Sequence, residues 1–472
     1  MGKKKPTTKP KGNGRPASAK KPTPGCYVLS LTVENIRCFG PKQTLDCSDG
    51  EYRPRQWTVI LGDNGTGKST LLQAIVLHER TPNIGLPAAE MNEPDRLPML
   101  VVYHAATWAL PRHVSCRAES LLSWSELTWA RSHRDNGTVA INYPLGWRIE
   151  GDRWTQDWRR PEADALGFAA YGANRSQVNA KDVGESTGAA VRTLMSAQHG
   201  LRDCQEWLLL LDYSAKASKS NIQARQNQLL GEVQELLLGV LPDVHEMRFD
   251  GGSGVFPQPR VEFLTPYGWV PLRQLGHGYQ TMIAWVVDFV SRMVERYPES
   301  ENPLAEPAVC LVDEIDLHLH PVWQRKVIGY LSERFPNTQF IVTAHSPLVV
   351  QAAASANANI AVLVRSTEKD ADGNHYVEIR NNPEDVRNWR LDQILTSDLF
   401  GMASARPVEV DVLFTRKQEL LVKAKLSKVV QDELGRIEEQ LRELPFGETK
   451  GDRSAIQDVR QSLELLKRKL AQ

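Results

Sequence analysis

Along the first part of the chain, apolar positions recur at the spacing of strands. From Tyr27 the run Val28, Leu29, Leu31, Val33 and Ile36 predicts an edge-type strand, with Gln43 to Asp46 as its hairpin partner. Trp57, Val59, Ile60 and Leu61 predict a buried strand, and the sequence from Ser69 (STLLQAIVLHE) predicts a helix. Further strands are expected at residues 97–104, at 138–154 as a hairpin turning at Pro-Leu-Gly, and in FAAYGANR from Phe168 to Arg175. The period then changes. Leu208, Leu209, Leu211, Leu229, Leu230, Val233, Leu236, Leu237 and Val240 lie at helical spacing, so residues 188–242 predict a helical insertion. Strands return at 260–264 and 269–272, and a long helix runs from near Gly278 until Pro298 stops it. Apolar strands follow at Ala308 and Gln339, and a strand pair near 360–364 and 375–380. The end of the chain is helical, with one stripe at Leu426, Val430, Leu434, Ile437, Leu441 and Leu444 and another at Ile456, Val459, Leu463, Leu466 and Leu470. Such stripes suit helices folded back on the same chain or a dock for another one.

Composition narrows the class. A chain of 472 residues exceeds one ordinary core, so two or more packed units are expected. Its 57 Lys and Arg balance its 57 Asp and Glu, which removes whole-chain attraction to nucleic acid as an argument. The balance is uneven: Lys3, Lys4, Lys5, Lys9, Lys11, Arg15, Lys20 and Lys21 meet no acid before residue 25. With its prolines and no apolar run, that leader predicts a disordered, solubilising segment rather than a signal peptide. Six cysteines without a C-x-x-C pair predict reduced thiols in an intracellular protein. No stretch of about 18 apolar residues occurs, which predicts a soluble, cytoplasmic chain without membrane contact.

The chemistry concentrates at three strand ends. After the strand from Trp57 comes Gly62-Asp63-Asn64-Gly65-Thr66-Gly67-Lys68-Ser69-Thr70, which fits the phosphate-loop pattern G-x-x-x-x-G-K-[ST]. Glycines let backbone N–H groups curl round phosphate oxygens, Lys68 brings a cation to the β- and γ-phosphates, and the Ser69 hydroxyl suits Mg²⁺. The expected ligands are ATP and Mg²⁺. In AVCLVDEIDLHLH, Asp313 is placed to hold the metal with Ser69, and Glu314 to accept a proton from an attacking water. In TAHS, His345 is expected to sense or stabilise the γ-phosphate. Asp316, His318 and His320 alternate and leave a separate metal site open as an alternative. Residues 35–39 fall where a basic or aromatic side chain meets a nucleotide, or where a plain surface turn would do.

The order NGTGKST, LGHGYQ, LVDEIDLHLHP and TAHSP resembles ABC-type ATPases of the SMC, Rad50 and RecF kind, and LTVENIRCF resembles their usual first strand. DEIDLHLHP followed by TAHSP resembles the overcoming-lysogenization-like branch, and the tail QILTSDLFGMASARPVEV with its helical end resembles the ATPase subunits of Septu-type and related retron defence systems, which partner an HNH nuclease. The resemblance implies an α/β fold: an ABC-type P-loop ATPase head with a mixed sheet, an antiparallel β-subdomain, a helical insertion and a C-terminal helical extension. It divides the chain into a basic tail (1–24), an N-terminal ATPase lobe (25–187), the insertion (188–250), a C-terminal lobe (251–385) and a helical region (386–472).

ATP would lie between the phosphate loop of one copy and the signature of a second copy in a head-to-head dimer, where Gly276 and Gly278 would meet the γ-phosphate in trans. The run after Asp316 would cross that interface, which accounts for its histidines without a metal. Gly276 stands where the family carries a serine, so slow turnover, or ATP used mainly as a switch, is expected. The family's glutamine loop is expected near Asn174 to Gln177. Two functions follow: a sensor or regulator in a defence complex whose nuclease is the partner and which meets nucleic acid through that complex, or a DNA-repair ATPase that binds DNA itself. No intrinsic nuclease is expected, since the acids after His345 lie mainly on helical faces, and Asp370, Asp372 and His375 read as a hairpin turn.

Overall fold

The structure is a computed structural model. It describes residues 26–34, 36–51, 53–77, 123–133, 137–150, 153–158, 168–175, 191–195, 200–217, 220–252, 258–370, 373–421 and 428–442. The basic leader, the strand expected at 97–104, Ser176, Gln177, Asp372 and the last apolar stripe lie outside these residues.

The strands in chain order are β1 (Cys26–Glu34), β2 (Gln43–Asp46), β3 (Trp57–Gly62), β4 (Ser123–His133), β5 (Gly137–Glu150), β6 (Arg153–Trp158), β7 (Phe168–Tyr171), β8 (Glu246–Asp250), β9 (Arg260–Thr265), β10 (Gly268–Pro271), β11 (Ala308–Val312), β12 (Thr338–Thr343), β13 (Asn359–Lys369) and β14 (His375–Asn381). The principal helices are α1 (Lys68–Leu77), α2 (Cys204–Ala217), α3 (Ser220–Val240), α4 (His277–Arg296), α5 (Val327–Arg334), α6 (Pro347–Ser355), α7 (Val408–Leu421) and α8 (Lys428–Arg442).

The central sheet has the order β14-β13-β3-β12-β11-β7, parallel except for its antiparallel edge strand β14. Its strands are apolar on both faces because both faces are covered. Trp57, Val59 and Leu61 enter one core with Cys310, Val312, Phe340 and Val342, against α4 and the helical insertion. Ile60 enters a second core with Val309, Leu311 and Ile341, against α1 and β1. The period-two alternation thus divides each strand between two cores.

A five-stranded sheet, β2-β1-β4-β5-β6, covers the second face. Here two expectations are corrected. First, β1 is not an edge strand, since β4, which the sequence reading missed, pairs along its other side. Second, the Pro-Leu-Gly hairpin turn is absent: Gly137–Glu150 is one strand, and Pro144 lies inside it opposite Glu126. On its other side β5 pairs with β6 as far as Leu145, the neighbour of Pro144.

Side-chain amides join the two sheets. At the irregularity between Val28 and Ser30, the buried Gln339 accepts the Val28 N–H at 2.7 Å and donates to its carbonyl at 2.8 Å. Gln43 does the same for Val377 and Ile379 of β14, at 2.7 Å each. Each amide thus mimics one rung of a ladder where no strand can fit.

α4 is buried continuously from Thr281 to Ser291, and this run includes the carboxylate of Asp288. That charge is satisfied by Arg292 Nε at 2.7 Å and by the Tyr171 hydroxyl at 2.9 Å. Burial, and then the neighbouring carboxylate, push the Tyr171 phenol well above its ordinary value, so it stays a neutral donor. The stretch assigned to the insertion includes one strand, β8, which joins β9 and β10 in a small antiparallel sheet.

Contacts divide the chain into a large unit, residues 1–394 with 398–400, and a second unit, 395–397 with 401–472. Within the second unit, α7 and α8 pair through Leu413, Leu420, Leu434 and Ile437, with Arg416 bonded to Glu433 at 2.8 Å. No helix among the described residues is long and apolar enough to cross a membrane.

Arg292→Met leaves the Asp288 carboxylate without its cation and is expected to destabilise the large unit by about 3–5 kcal/mol. Tyr171→Phe, which removes one donor to the same charge, is expected to cost about 1.5–3 kcal/mol. Urea unfolding midpoints check the order: Arg292→Met lowest, Tyr171→Phe between it and the parent.

Candidate active site

β3, β12 and β11 lie side by side and parallel, so their C-terminal ends open on one edge of the sheet. In parallel α/β sheets that edge is where ligands bind. The chain from β3 turns through Gly62 (φ +148°), Gly65 (φ +79°) and Gly67 (φ +89°) into α1. A Cβ on Gly67 would sit 2.5 Å from Cys38 Sγ, and one on Gly62 would sit 2.8 Å from the Leu363 carbonyl oxygen, so neither position admits a side chain. Asp63, Asn64 and Gly65 are exposed at the tip, while Thr66 and Thr70 are buried beneath it. The Thr66 hydroxyl donates to the Asp63 carbonyl at 2.8 Å, which fixes the curl of the loop.

Lys68 is only 7 % exposed, and its Nζ donates to the Gly62 and Asp63 carbonyls at 2.7 and 3.0 Å. Burial lowers its pKa; Asp313, Glu314, Asp63 and Asp316 pull the other way. A cation curled onto its own loop is available to an incoming polyanion. Ser69 Oγ donates to Asp313 Oδ2 at 2.6 Å, and Thr343 Oγ1 donates to Asp313 Oδ1 at 2.6 Å. The head of α1 and the end of β12 therefore meet, just past β11, at one carboxylate that is 6 % exposed. The same Thr343 hydroxyl accepts the Glu314 N–H at 2.7 Å. Glu314 itself is half-buried and has φ +52°.

The sequence reading gives two residues here no role of their own. Thr343 is simply the start of TAHS, and Arg175 ends FAAYGANR within the stretch expected to hold the glutamine loop. Arg175 is 2 % exposed and donates to the carbonyls of Asp313 and Glu314 at 2.5 and 2.8 Å. Burial pulls its guanidinium down to about 10, so it remains a cation at neutral pH. The available signal was an arginine closely following an apolar run. Arg37 lies within the loop's reach, with Nη1 3.4 Å from the Thr70 hydroxyl.

His345 is exposed, and its backbone N–H donates to Asp316 Oδ2 at 2.9 Å, which ties the β12 end to the turn after β11. The alternative of a metal site at Asp316, His318 and His320 is not met. Asp316 faces the His345 backbone, the His318 ring packs 4.9 Å from the His277 ring, and His320 Nδ1 accepts from Val322 N–H. Among the described residues no group of three or more His, Cys, Asp or Glu is placed for a metal. Gly276 caps α4, with φ −55° and open space where a Cβ would sit, whereas a Cβ on Gly278 would meet the His318 carbonyl at 2.6 Å. Gly278 thus packs against the turn after β11, whereas Gly276 does not. Asn174 is exposed beside Arg175 at the expected glutamine loop.

A family profile described as "AAA domain, putative AbiEii toxin, Type IV TA system" matches residues 57–351. The chain belongs to this AAA-domain family. The match begins at β3 and ends within α6, so the AAA domain takes in every residue discussed above except Arg37, Cys38 and Leu363. A second AAA-domain profile matches residues 30–77. Septu protein PtuA of Bacillus mycoides (strain KBAB4) is 24 % identical over 429 residues, which is 88 % of this chain and 51 % of that protein. The chain therefore spans about half the length of that relative. Retron Vc95 probable ATPase of Vibrio cholerae serotype O1 biovar El Tor is 47 % identical over 81 residues, 17 % of this chain and 16 % of that protein. Among solved structures, an SMC head bound to the C-winged helix domain of ScpA covers 75 % of this chain and 97 % of its own, with 19 % identity and a TM-score of 0.41.

Gly67→Ala tests the cradle. The left-handed backbone and the Cys38 contact oblige the loop to shift, so ATP affinity measured by calorimetry is expected to fall at least about tenfold. Unchanged affinity would mean that the loop does not hold the phosphates.

Proposed function

We propose that this chain binds ATP with Mg²⁺ at the β3–α1 loop and hydrolyses it to ADP and phosphate. The observation that carries the reading is the bond between Ser69 Oγ and Asp313 Oδ2, with Glu314 next in sequence. A hydroxyl and a carboxylate already in contact are the hard oxygen donors that Mg²⁺ prefers. Ser69 and Asp313 would hold that ion, which when bound neutralises charge on the β- and γ-phosphates. Lys68 and the loop amides from Gly62 to Thr70 bind and orient the triphosphate. Glu314 accepts the proton of the attacking water as its oxygen bonds to the γ-phosphorus and the bridging oxygen leaves on ADP. His345 lies at the same sheet edge and stabilises the transferring group.

The relatives named Septu protein PtuA and retron ATPase support a cellular role in an anti-phage defence complex. In that role two copies close head to head on ATP, with Gly276 and Gly278 of one facing the phosphates of the other. Nucleotide state then regulates a partner nuclease of the HNH type, and nucleic acid is met through the complex.

Glu314→Gln is expected to keep ATP affinity, slow hydrolysis by at least about 100-fold, and accumulate an ATP-bound pair of chains in light scattering. Lys68→Ala is expected to lose ATP binding. Hydrolysis by Glu314→Gln at the parent rate removes Glu314 as the base.

A further inference from the structure

The peptide unit that joins Asp313 to Glu314 is gripped at both ends. Its carbonyl accepts from Arg175 Nη1 at 2.5 Å and its N–H donates to Thr343 Oγ1 at 2.7 Å. Arg175 Nη2 reaches the next carbonyl, that of Glu314, at 2.8 Å. One guanidinium therefore fixes the two peptide planes on either side of the Glu314 Cα. Those planes set φ and ψ of Glu314, and with them the direction in which its carboxylate leaves the backbone. The held conformation is not a resting one: φ +52° is left-handed, a region that residues with a Cβ rarely adopt.

A buried arginine ordinarily faces a carboxylate. Among the described residues Arg175 forms no ion pair, and its Nε has no hydrogen-bond partner. It thus gives a desolvated cation to two backbone carbonyls. A neutral donor would satisfy the same carbonyls without the cost of burying a charge, which the carboxylates of Asp313, Glu314 and Asp316 offset only in part.

We propose that Arg175 is a positioning residue for ATP hydrolysis, acting through Glu314. It touches neither nucleotide nor water; it holds the base in its strained geometry. The inference rests on the reading of Glu314 as the base. Thr343 shares the work from the other side of the same peptide, so the clamp joins the ends of β7 and β12 to the turn after β11.

The test uses the full chain and two readouts, steady-state phosphate release and equilibrium binding of a non-hydrolysable ATP analogue. Arg175→Met is expected to keep analogue affinity near the parent value while kcat falls about 100-fold, because a base displaced by about 1 Å loses that much. Combining Arg175→Met with Glu314→Gln is expected to be no slower than Glu314→Gln alone, since both remove one function. Arg175→Lys keeps a cation but reaches one carbonyl only, and is expected to fall between the parent and Arg175→Met. It also carries the test if Arg175→Met does not fold.

Three results overturn the proposal: parent-like kcat in a folded Arg175→Met or Arg175→Lys chain, affinity lost in step with kcat, or a further loss on top of Glu314→Gln. A parent chain that binds ATP without turnover overturns the hydrolytic reading itself, whatever the variants do.

Discussion

Everything at the candidate site hangs on one carboxylate. Asp313 ends β11, almost buried, and takes a hydroxyl from each of two other segments, Ser69 at the head of α1 and Thr343 at the end of β12. A buried carboxylate without donors would protonate or pull the strand ends apart; with two short charge-assisted bonds it joins them. The parallel ladders β3–β12 and β12–β11 set the spacing that allows this, and the two apolar cores hold those ladders flat on both faces. Sheet, loop and helix are thus fixed relative to one another before any ligand arrives.

That preorganisation has a chemical use. Charge stabilisation costs least when the donors are already aimed. Lys68 rests on its own loop and the Ser69 hydroxyl on the carboxylate, so under the proposed function a triphosphate with its metal would exchange existing contacts for stronger ones. The segment Asp313–Glu314 adds the second element: a strained residue beside the anchored one, held by backbone contacts from both neighbours. Strain kept by surrounding structure concentrates at sites that use it.

Most of the scaffold could be read from the chain. β3, α1, α4, β11 and β12 announce themselves by apolar runs that meet glycine or carboxylates, because buried parallel strands and an all-round buried helix leave unbroken patterns. The phosphate loop is legible for the same reason: its geometry demands particular residues at fixed places. What escaped reading depended on contacts between distant segments. Pro144 signals a turn locally, yet it stands within β5 opposite Glu126 of β4. β4 carries few consecutive apolar residues, and its partner on β1 lies about a hundred residues away. β8 shows a buried Met247 between charged neighbours, too short an alternation to outweigh the helix before it. Arg175 and Thr343 look like ordinary strand ends until the fold brings them to opposite sides of one peptide. The run Asp316, His318 and His320 suggested a metal by alternation alone, and the turn points the three side chains to three separate tasks.

The central claim is that the Ser69–Asp313 contact marks a nucleotide and Mg²⁺ centre. A structure determined with Mg²⁺ and a non-hydrolysable ATP analogue tests it most directly. The account requires Lys68 Nζ to leave the Gly62 and Asp63 carbonyls for phosphate oxygens, and the Ser69 hydroxyl to turn from Asp313 towards the ion, with Glu314 still held at positive φ. Analogue bound away from this loop, with Lys68 and Ser69 keeping their present partners, would contradict it.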